Sequence, residues 1–493
     1  MSDTRKSEYR SIFKATSLFG GVQIWKILIE IIKQKVIAIL LGPMGMGITG
    51  LLLSSTQFIQ GLTSLGLSQS AVRDVADANA SGNDVKNAHT IVALRRIVWA
   101  TGFLGMLVVL VLSPYLSKSA FGNYDYAIPF ALLSVTLLLQ QVSAGQTVIL
   151  QGLRKHKWLA ISGIFGALGG LIVSVPIYFV LKINGIVPAL ILNAITTLIV
   201  TWYFSRKIEV LKVSQSFKQT ITQGKHMLKM GIALSFNSVM VLGVGYLIRL
   251  FISRIGGTSE VGLYTAGFAI VGGYTGLVFN AMSTDYYPRL SSVNTDNEKC
   301  RSIINQQAEI AIIIIAPLAI IFCVVADFVI NLLYSEEFTS IVPYTRYAMS
   351  GMIFKAASWA ISFVFLAKGD MKLFLFNEIS IKVLNVPLYL VAYYYGGLNG
   401  LGWAFIVNYA VYLVLCYSSA YRKYKFKFNN SLYFLFMVEI ILVLTNLILV
   451  MQNTKFLNLA ALIPLIVCCL FSYRELDKRI DLSNKLQQIV HKK

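Results

Sequence analysis

The sequence predicts an all-α polytopic membrane protein of about fourteen spans: two parallel six-helix repeats around a central cavity, plus two C-terminal helices. Three observations predict it. Apolar runs of about 20 residues, each long enough to cross a bilayer, recur along nearly the whole chain. Apolar residues make up 56% of the 493 residues and charged residues only 13%, about half the share of a soluble domain. The first half also resembles the second at a fixed offset.

The predicted spans cover 12–41, 45–67, 91–115, 126–152, 158–181, 185–204, 228–255, 261–283, 305–334, 344–367, 373–394, 398–420, 431–450 and 456–472. The first is too long and too charged for the apolar core of a signal peptide, and no small-residue cleavage site follows it. It is expected to remain as the first transmembrane helix.

Placing the N-terminus in the cytoplasm puts about 32 Lys and Arg residues in cytoplasmic segments and about four in outer loops, the bias of the positive-inside rule. Both termini are then cytoplasmic. The same rule accounts for the net charge of +21, so no nucleic-acid partner is expected. Trp99, Trp158 and Trp202 fall near cytoplasmic helix ends, where an aromatic belt belongs. Cys300, Cys323, Cys416, Cys468 and Cys469 lie in helices or a cytoplasmic loop, and no disulfides are expected.

The self-similarity has a shift of about 215 residues. Ile183-Asn184-Gly185-Ile186 matches Leu398-Asn399-Gly400-Leu401, Ala189 and Asn193 match Ala404 and Asn408, and Lys157 matches Lys372. Gly42 and Gly47 match Gly257 and Gly262 at the first helix connection of each half. Six helices per repeat is an even number, so both copies enter from the same side and are related by an axis along the membrane normal. The expected organisation is an N-terminal lobe (1–210), a cytoplasmic linker (211–227), a C-terminal lobe (228–425), two extra helices (426–475) and a basic cytoplasmic tail (476–493).

Charges inside the spans are the candidate functional residues, because a charge at mid-bilayer costs about 2.5–3.5 kcal/mol even on insertion scales. The first helix holds Lys26, Glu30 and Lys33, spaced four and then three residues apart and therefore on one face. Arg249, Arg346, Lys355 and the i,i+4 pair Glu378/Lys382 follow in the second half. Two readings stand for the pairs: Glu30 with Lys26 or Lys33, and Glu378 with Lys382, as buried ion pairs, or all of them as the wall of a hydrated cavity. Lys35 and Arg254 are expected to reach toward the outer interface, and Arg346 lies near that rim. Arg249 and Lys355 have no carboxylate one turn away. The positive excess favours an anionic passenger such as a phosphate or diphosphate, with Lys26, Lys33, Arg249, Arg346, Lys355 and Lys382 as binding residues. Glu30 and Glu378 would position lysines or exchange protons. Gln57 and Gln60 in the second helix, and Gln140, Gln141, Ser143 and Gln146 in the fourth, extend the polar lining.

Two cytoplasmic stretches occupy the same place in each repeat: LGLSQSAVRDVADANASG and NAMSTDYYPRLSSVN. Arg73 adjoins Asp74, and Asp285 precedes Arg289 by one helical turn. These are ordinary solvated helices or a cytoplasmic gate. The histidines, His89, His156, His226 and His491, are read as loop or tail residues, which leaves no histidine relay or metal cluster. No nucleotide-binding glycine loop or nucleophile motif is present, so neither an enzyme nor an ATP-driven pump is expected, and no cofactor.

The segment LLGPMGMGITGLLLSSTQFIQGLTSLGLSQSAVRDVA resembles the opening of the polysaccharide-repeat-unit (O-antigen) flippases of the multidrug/oligosaccharidyl-lipid/polysaccharide exporter superfamily. SEEFTSIVPYTRYAMSGMIFKAASWAISFVFLAKGDMKLFLFNEIS resembles their second half, including the lysine at Lys355. The resemblance covers most of 12–425. It implies two six-helix lobes around a central cavity in the bacterial inner membrane. The implied substrate is an undecaprenyl-diphosphate-linked oligosaccharide moved from the inner to the outer leaflet. It further implies membrane lipids and a proton or sodium gradient as partners, and leaves room for glycan polymerase machinery. A lipid II flippase and a multidrug cation antiporter of the same superfamily are the alternatives; the antiporter would need an electronegative cavity.

Overall fold

The computed structural model describes residues 3–452 and 454–480. Side chains are described from residue 25 onward, with a few gaps, and the expected basic tail from 481 lies outside the described residues. The described chain is helical, without strands.

The first helix, α1 (Asp3–Thr63), is far longer than the roughly 20 residues that cross a bilayer. It breaks at Gly42 (φ 62°, ψ −169°), followed by Pro43. Glycine tolerates the positive φ, and proline has no N–H to continue the ladder. Then come α2 (Leu67–Ala80), α3 (Asp84–Phe121), α4 (Ala127–Gly152) and α5 (His156–Leu181). A 3₁₀ turn (Lys182–Gly185) joins α5 to α6 (Ile186–Arg206), and α7 (Phe217–Ile255) follows. Side-chain caps set several starts: Asn83 accepts from Lys86 N at 3.0 Å for α3, and Ser216 with Gln219 forms a capping box for α7.

After α8 (Gly257–Phe268) a π-helical stretch (Ala269–Tyr274) leads into α9 (Thr275–Ser291). The rest is α10 (Asn297–Leu333), a 3₁₀ turn (Glu336–Ile341), α11 (Val342–Ser350), α12 (Met352–Ala367), α13 (Met371–Tyr424), α14 (Asn430–Met451), α15 (Lys455–Ala460) and α16 (Leu462–Ile480). Like α1, α13 is broken at a glycine, Gly397 (φ 55°, ψ −142°). Among the described residues nine helical runs are long and apolar enough to cross a membrane, ten if the pair bent by 41° at Gly351 counts as one. Three of these runs contain the Gly42 break, the Lys182–Gly185 turn and the Gly397 break.

The chain forms two compact units: Met1–Gly262 with Leu333–Ser335, and Leu263–Leu332 with Glu336–Lys493. The first includes α7, for a visible reason. Gly47 and Gly262 approach so closely that a Cβ on either would overlap the Thr258 or Pro43 carbonyl. At one end of α7, Arg254 Nε donates to Ser119 O (3.0 Å), another guanidinium nitrogen donates to Lys118 O, and Ser253 donates to Ala120 O (2.5 Å). Arg254 thus caps the C-terminus of α3. Near the other end, Arg96 donates to Gln215 O (2.6 Å) and Thr220 Oγ1 (2.9 Å).

Each unit has an apolar core. In the first it joins α2, α3, α4 and the start of α7 through Leu67, Val75, Leu94, Ile149 and Met227. In the second it joins α9, α10, α12 and α13 through Tyr286, Ile304, Phe365 and Cys416. The outer surfaces are rich in exposed Leu, Ile, Val and Phe, as expected where lipid is the solvent.

Candidate functional site

In the first unit, Lys26, Glu30 and Lys33 of α1 line one pocket of about 320 Å³. Its far wall comes from α4 (Ser143, Thr147), α5 (Ser162, Gly163) and α6 (Asn193, Thr197). α5 contributes absence of bulk: a Cβ at Gly163 would stand 2.5 Å from Lys26 Nζ, so the glycine gives the amine its place against the helix. Ser143 and Thr201 hydrogen-bond across the α4–α6 contact at 3.0 Å.

No ion pair joins Glu30 to either lysine; Glu30 accepts instead from Gln34 Nε2 at 3.0 Å. The ion-pair reading of this stripe is therefore not what the structure shows. Among the described residues neither Lys26 nor Lys33 has a hydrogen-bond or ion-pair partner. Two ammonium groups and the Glu30 carboxylate share this lining with hydroxyls and an asparagine, a net positive set in which the lysines could supply charge and the neutral donors direction to an anion.

The other predicted site residues divide differently. Arg249 of α7 is absent from that pocket's lining, and its guanidinium donates to Gly245 O at 3.1 Å. In the second unit, Lys382 pairs with Glu378, which also accepts from Tyr412. Arg346 was expected in the cavity lining. It is instead buried, donating to Cys323 O (2.9 Å), Val450 O (3.2 Å) and Asp327 (2.8 Å). Its guanidinium is used up in fastening α10, α11 and α14. Lys355 lies over the rings of Phe279 (5.2 Å) and Tyr409 (5.4 Å), with no carboxylate beside it.

The expected gate segments are also paired otherwise than by neighbourhood. Arg73 reaches Asp77 at 3.7 Å rather than Asp74. Asp74 meets His226 Nδ1 of α7 at 2.9 Å, so this histidine, read from sequence as a loop residue, sits in a helix. Asp285 forms no ion pair with Arg289, whose guanidinium donates to Gln307 Oε1 at 3.5 Å. Among the described residues no three of His, Cys, Asp or Glu come together as a metal site.

Residues 36–343, well over half the chain, match the family model described as polysaccharide biosynthesis protein. The chain belongs to that family. The lipid III flippases of Escherichia coli K12 and of Shigella flexneri are each 22% identical to it over 412 residues, covering 82% of this chain and 97% of theirs. Among solved structures, the lipid II flippase MurJ in an inward closed conformation superposes with a TM-score of 0.70 at 12% identity, covering 94% of this chain and 99% of MurJ. An inward-facing multidrug resistance MATE family transporter of the MOP superfamily gives 0.69 at 14% identity, covering 81% and 94%. The fold of this polysaccharide biosynthesis family member is therefore that of the MOP superfamily, and it is a multi-pass membrane protein.

Apart from Ser143, sequence reasoning missed the far wall of this family member's lysine pocket. Ser162, Gly163 and Thr197 carry no charge that would single them out. Two signals were present: the Gly163/Gly166/Gly170 spacing along α5, and Asn193, a position matched between the two halves. Of the carboxylates, only the i,i+4 pairing of Glu378 with Lys382 was readable in the sequence. Asp327, Glu378 and Glu439 are each engaged, Glu439 by Cys468 (3.0 Å) and Ser472 (2.6 Å). Glu30 alone of these four faces the lysine pocket.

Proposed function

We propose that the chain is a lipid-linked glycan flippase of the bacterial inner membrane, carrying an undecaprenyl-diphosphate-linked oligosaccharide of the O-antigen or a related surface glycan from the cytoplasmic to the outer leaflet. The observation that carries this reading is the pair of unpartnered lysines, Lys26 and Lys33, in a hydroxyl-lined pocket within a membrane helix. An uncompensated charge there is costly, and a bound diphosphate would neutralise it. Membership of a polysaccharide biosynthesis family and likeness to lipid III flippases support the same substrate class.

In this reading Lys26 and Lys33 bind the diphosphate, and Arg249 and Lys355 are further anion-binding residues of the transport path. Glu30 couples transport to a proton or sodium gradient. Lys382 with Glu378, and Arg346 with Asp327, are structural pairs. The α2 segment with Arg73 and Asp74, and the α9 segment with Asp285 and Arg289, gate the cytoplasmic side as the repeats 1–210 and 228–425 alternate. Both termini are cytoplasmic. A multidrug cation antiporter is disfavoured because two ammonium groups in the pocket would repel a cationic passenger.

The test is a leaflet assay in a host deleted for its own glycan flippases and supplied with defined lipid-linked sugars. Expression of the chain is expected to expose the sugar lipid at the outer leaflet. No gain in exposure, with the protein present in the membrane, would sink the reading.

A further inference from the structure

A second pocket in the first unit is neutral where the first is charged. It measures about 270 Å³ and lies among the second half of α1, the start of α2, α4 and α7, lined by Gln57, Gln60, Gln69, Gln141, Ser68 and Ser238, with other small or apolar residues. Among the described residues no charged side chain lines it. α4 separates its chemistry from that of the lysine pocket: Gln141 and Ala144 face the neutral pocket, whereas Ser143 and Thr147 face the charged one.

The glutamines in these helices fall into two groups. Gln141 donates to Thr101 at 3.0 Å and Gln146 is bonded to Ser205, both as internal fastenings of α4. Gln57, Gln60, Gln69 and Ser238 make no side-chain hydrogen bond among the described residues. Gln57 and Gln69 are exposed and Gln60 is half-buried, so these amides are open to a ligand in the pocket. Gln57 and Gln60 are three residues apart on one helical face, so two donor–acceptor amides are presented side by side.

We infer that this pocket is the carbohydrate subsite of the transporter, taking one or two sugar rings of the translocated lipid. A ring hydroxyl both donates and accepts, and so does each glutamine amide, so adjacent hydroxyls on a ring are matched in pairs. Leu242, Val239 and Gly61 supply an apolar patch for the C–H face of a ring. The absence of charge gives no purchase to phosphate or to a cationic drug. The volume is just under the range of about 300–1,000 Å³ typical of drug-sized ligands, which suits a small part of a glycan rather than all of it.

The inference rests on the flippase reading, and the experiment separates the two. The full chain in lipid nanodiscs is titrated with undecaprenyl diphosphate and with a panel of its conjugates bearing one or two neutral sugars. The wild type is expected to bind at least one conjugate about tenfold or more tighter than the sugar-free lipid, the yield of two or three hydrogen bonds. The Gln57→Ala/Gln60→Ala/Ser238→Ala variant is expected to lose that preference to within about twofold while still binding the sugar-free lipid, which also reports that it is folded. Ser238→Phe, which fills the pocket, is expected to do the same. A preference that survives both variants, or no preference for any conjugate, overturns the carbohydrate subsite and leaves the flippase reading standing. Failure of the wild type to bind undecaprenyl diphosphate in any form overturns the flippase reading itself.

Discussion

The charged stripe of α1 and the charged residues of α10 to α13 are the same kind of anomaly, ionisable groups in membrane helices, with opposite outcomes. In the second unit most of this charge is neutralised on the spot, Arg346 by Asp327 and two carbonyls and Lys382 by Glu378, while Lys355 lies over two aromatic rings. On α1, Lys26 and Lys33 form no ion pair among the described residues and, with Glu30 between them, open on a pocket. An intramembrane charge is thus not in itself a functional signal. The discriminating feature is whether its partners are already in the protein.

That distinction makes removal of charge act in opposite ways. Lys26→Gln/Lys33→Gln has the largest expected effect, on ligand binding: affinity for undecaprenyl diphosphate, by titration in nanodiscs, is expected to fall by at least about a hundredfold, the loss of two charge-assisted contacts of about 1.5–3 kcal/mol each. Its thermal unfolding in detergent should be unchanged or raised, since no internal partner is stranded. Arg346→Ala is expected to do the reverse, lowering stability by about 2–4 kcal/mol as three acceptors lose their donor; binding per folded molecule should hold. If both variants lose stability alike, the contrast between the regions fails.

Gly163→Ala is a subtler probe of the open region. The added methyl displaces the end of the flexible Lys26 side chain rather than backbone, so a several-fold loss of affinity without loss of fold is expected. The smallest effect belongs to a loop pair beside the neutralised region. Asp370 holds Lys423, accepts from Tyr424 at 2.8 Å and caps α13 at Leu373 N. The Lys423 ammonium in particular holds its carboxyl below the usual range. Because the folded-state pKa is depressed, the stabilisation is full above about pH 4 and fades as the pH falls through the lowered value. Asp370→Ala should cost about 0.5–2 kcal/mol at neutral pH, and the deficit should close on acidification.

The helical class and the α1 stripe were legible because hydropathy and helical spacing are local properties. Partner choice was legible for Glu378 with Lys382, one turn apart, and not elsewhere. Asp327 and Arg346 are on different helices and far beyond one turn in sequence, so nothing local could join them. Asp285 and Arg289 have the right spacing for a pair yet form none. Arg73 passes over adjacent Asp74, which its helix points elsewhere, and meets Asp77 one turn on. The breaks at Gly42 and Gly397 fall close to the expected span boundaries, since glycine marks them in any context.

The most direct test is translocation by the purified chain alone. Proteoliposomes are loaded with a fluorescent undecaprenyl-diphosphate-linked saccharide, and its movement between leaflets is followed by quencher access under an imposed ion gradient. The account predicts gradient-dependent flipping by the wild type and none above protein-free vesicles by Lys26→Gln/Lys33→Gln. Equal flipping by both would contradict it.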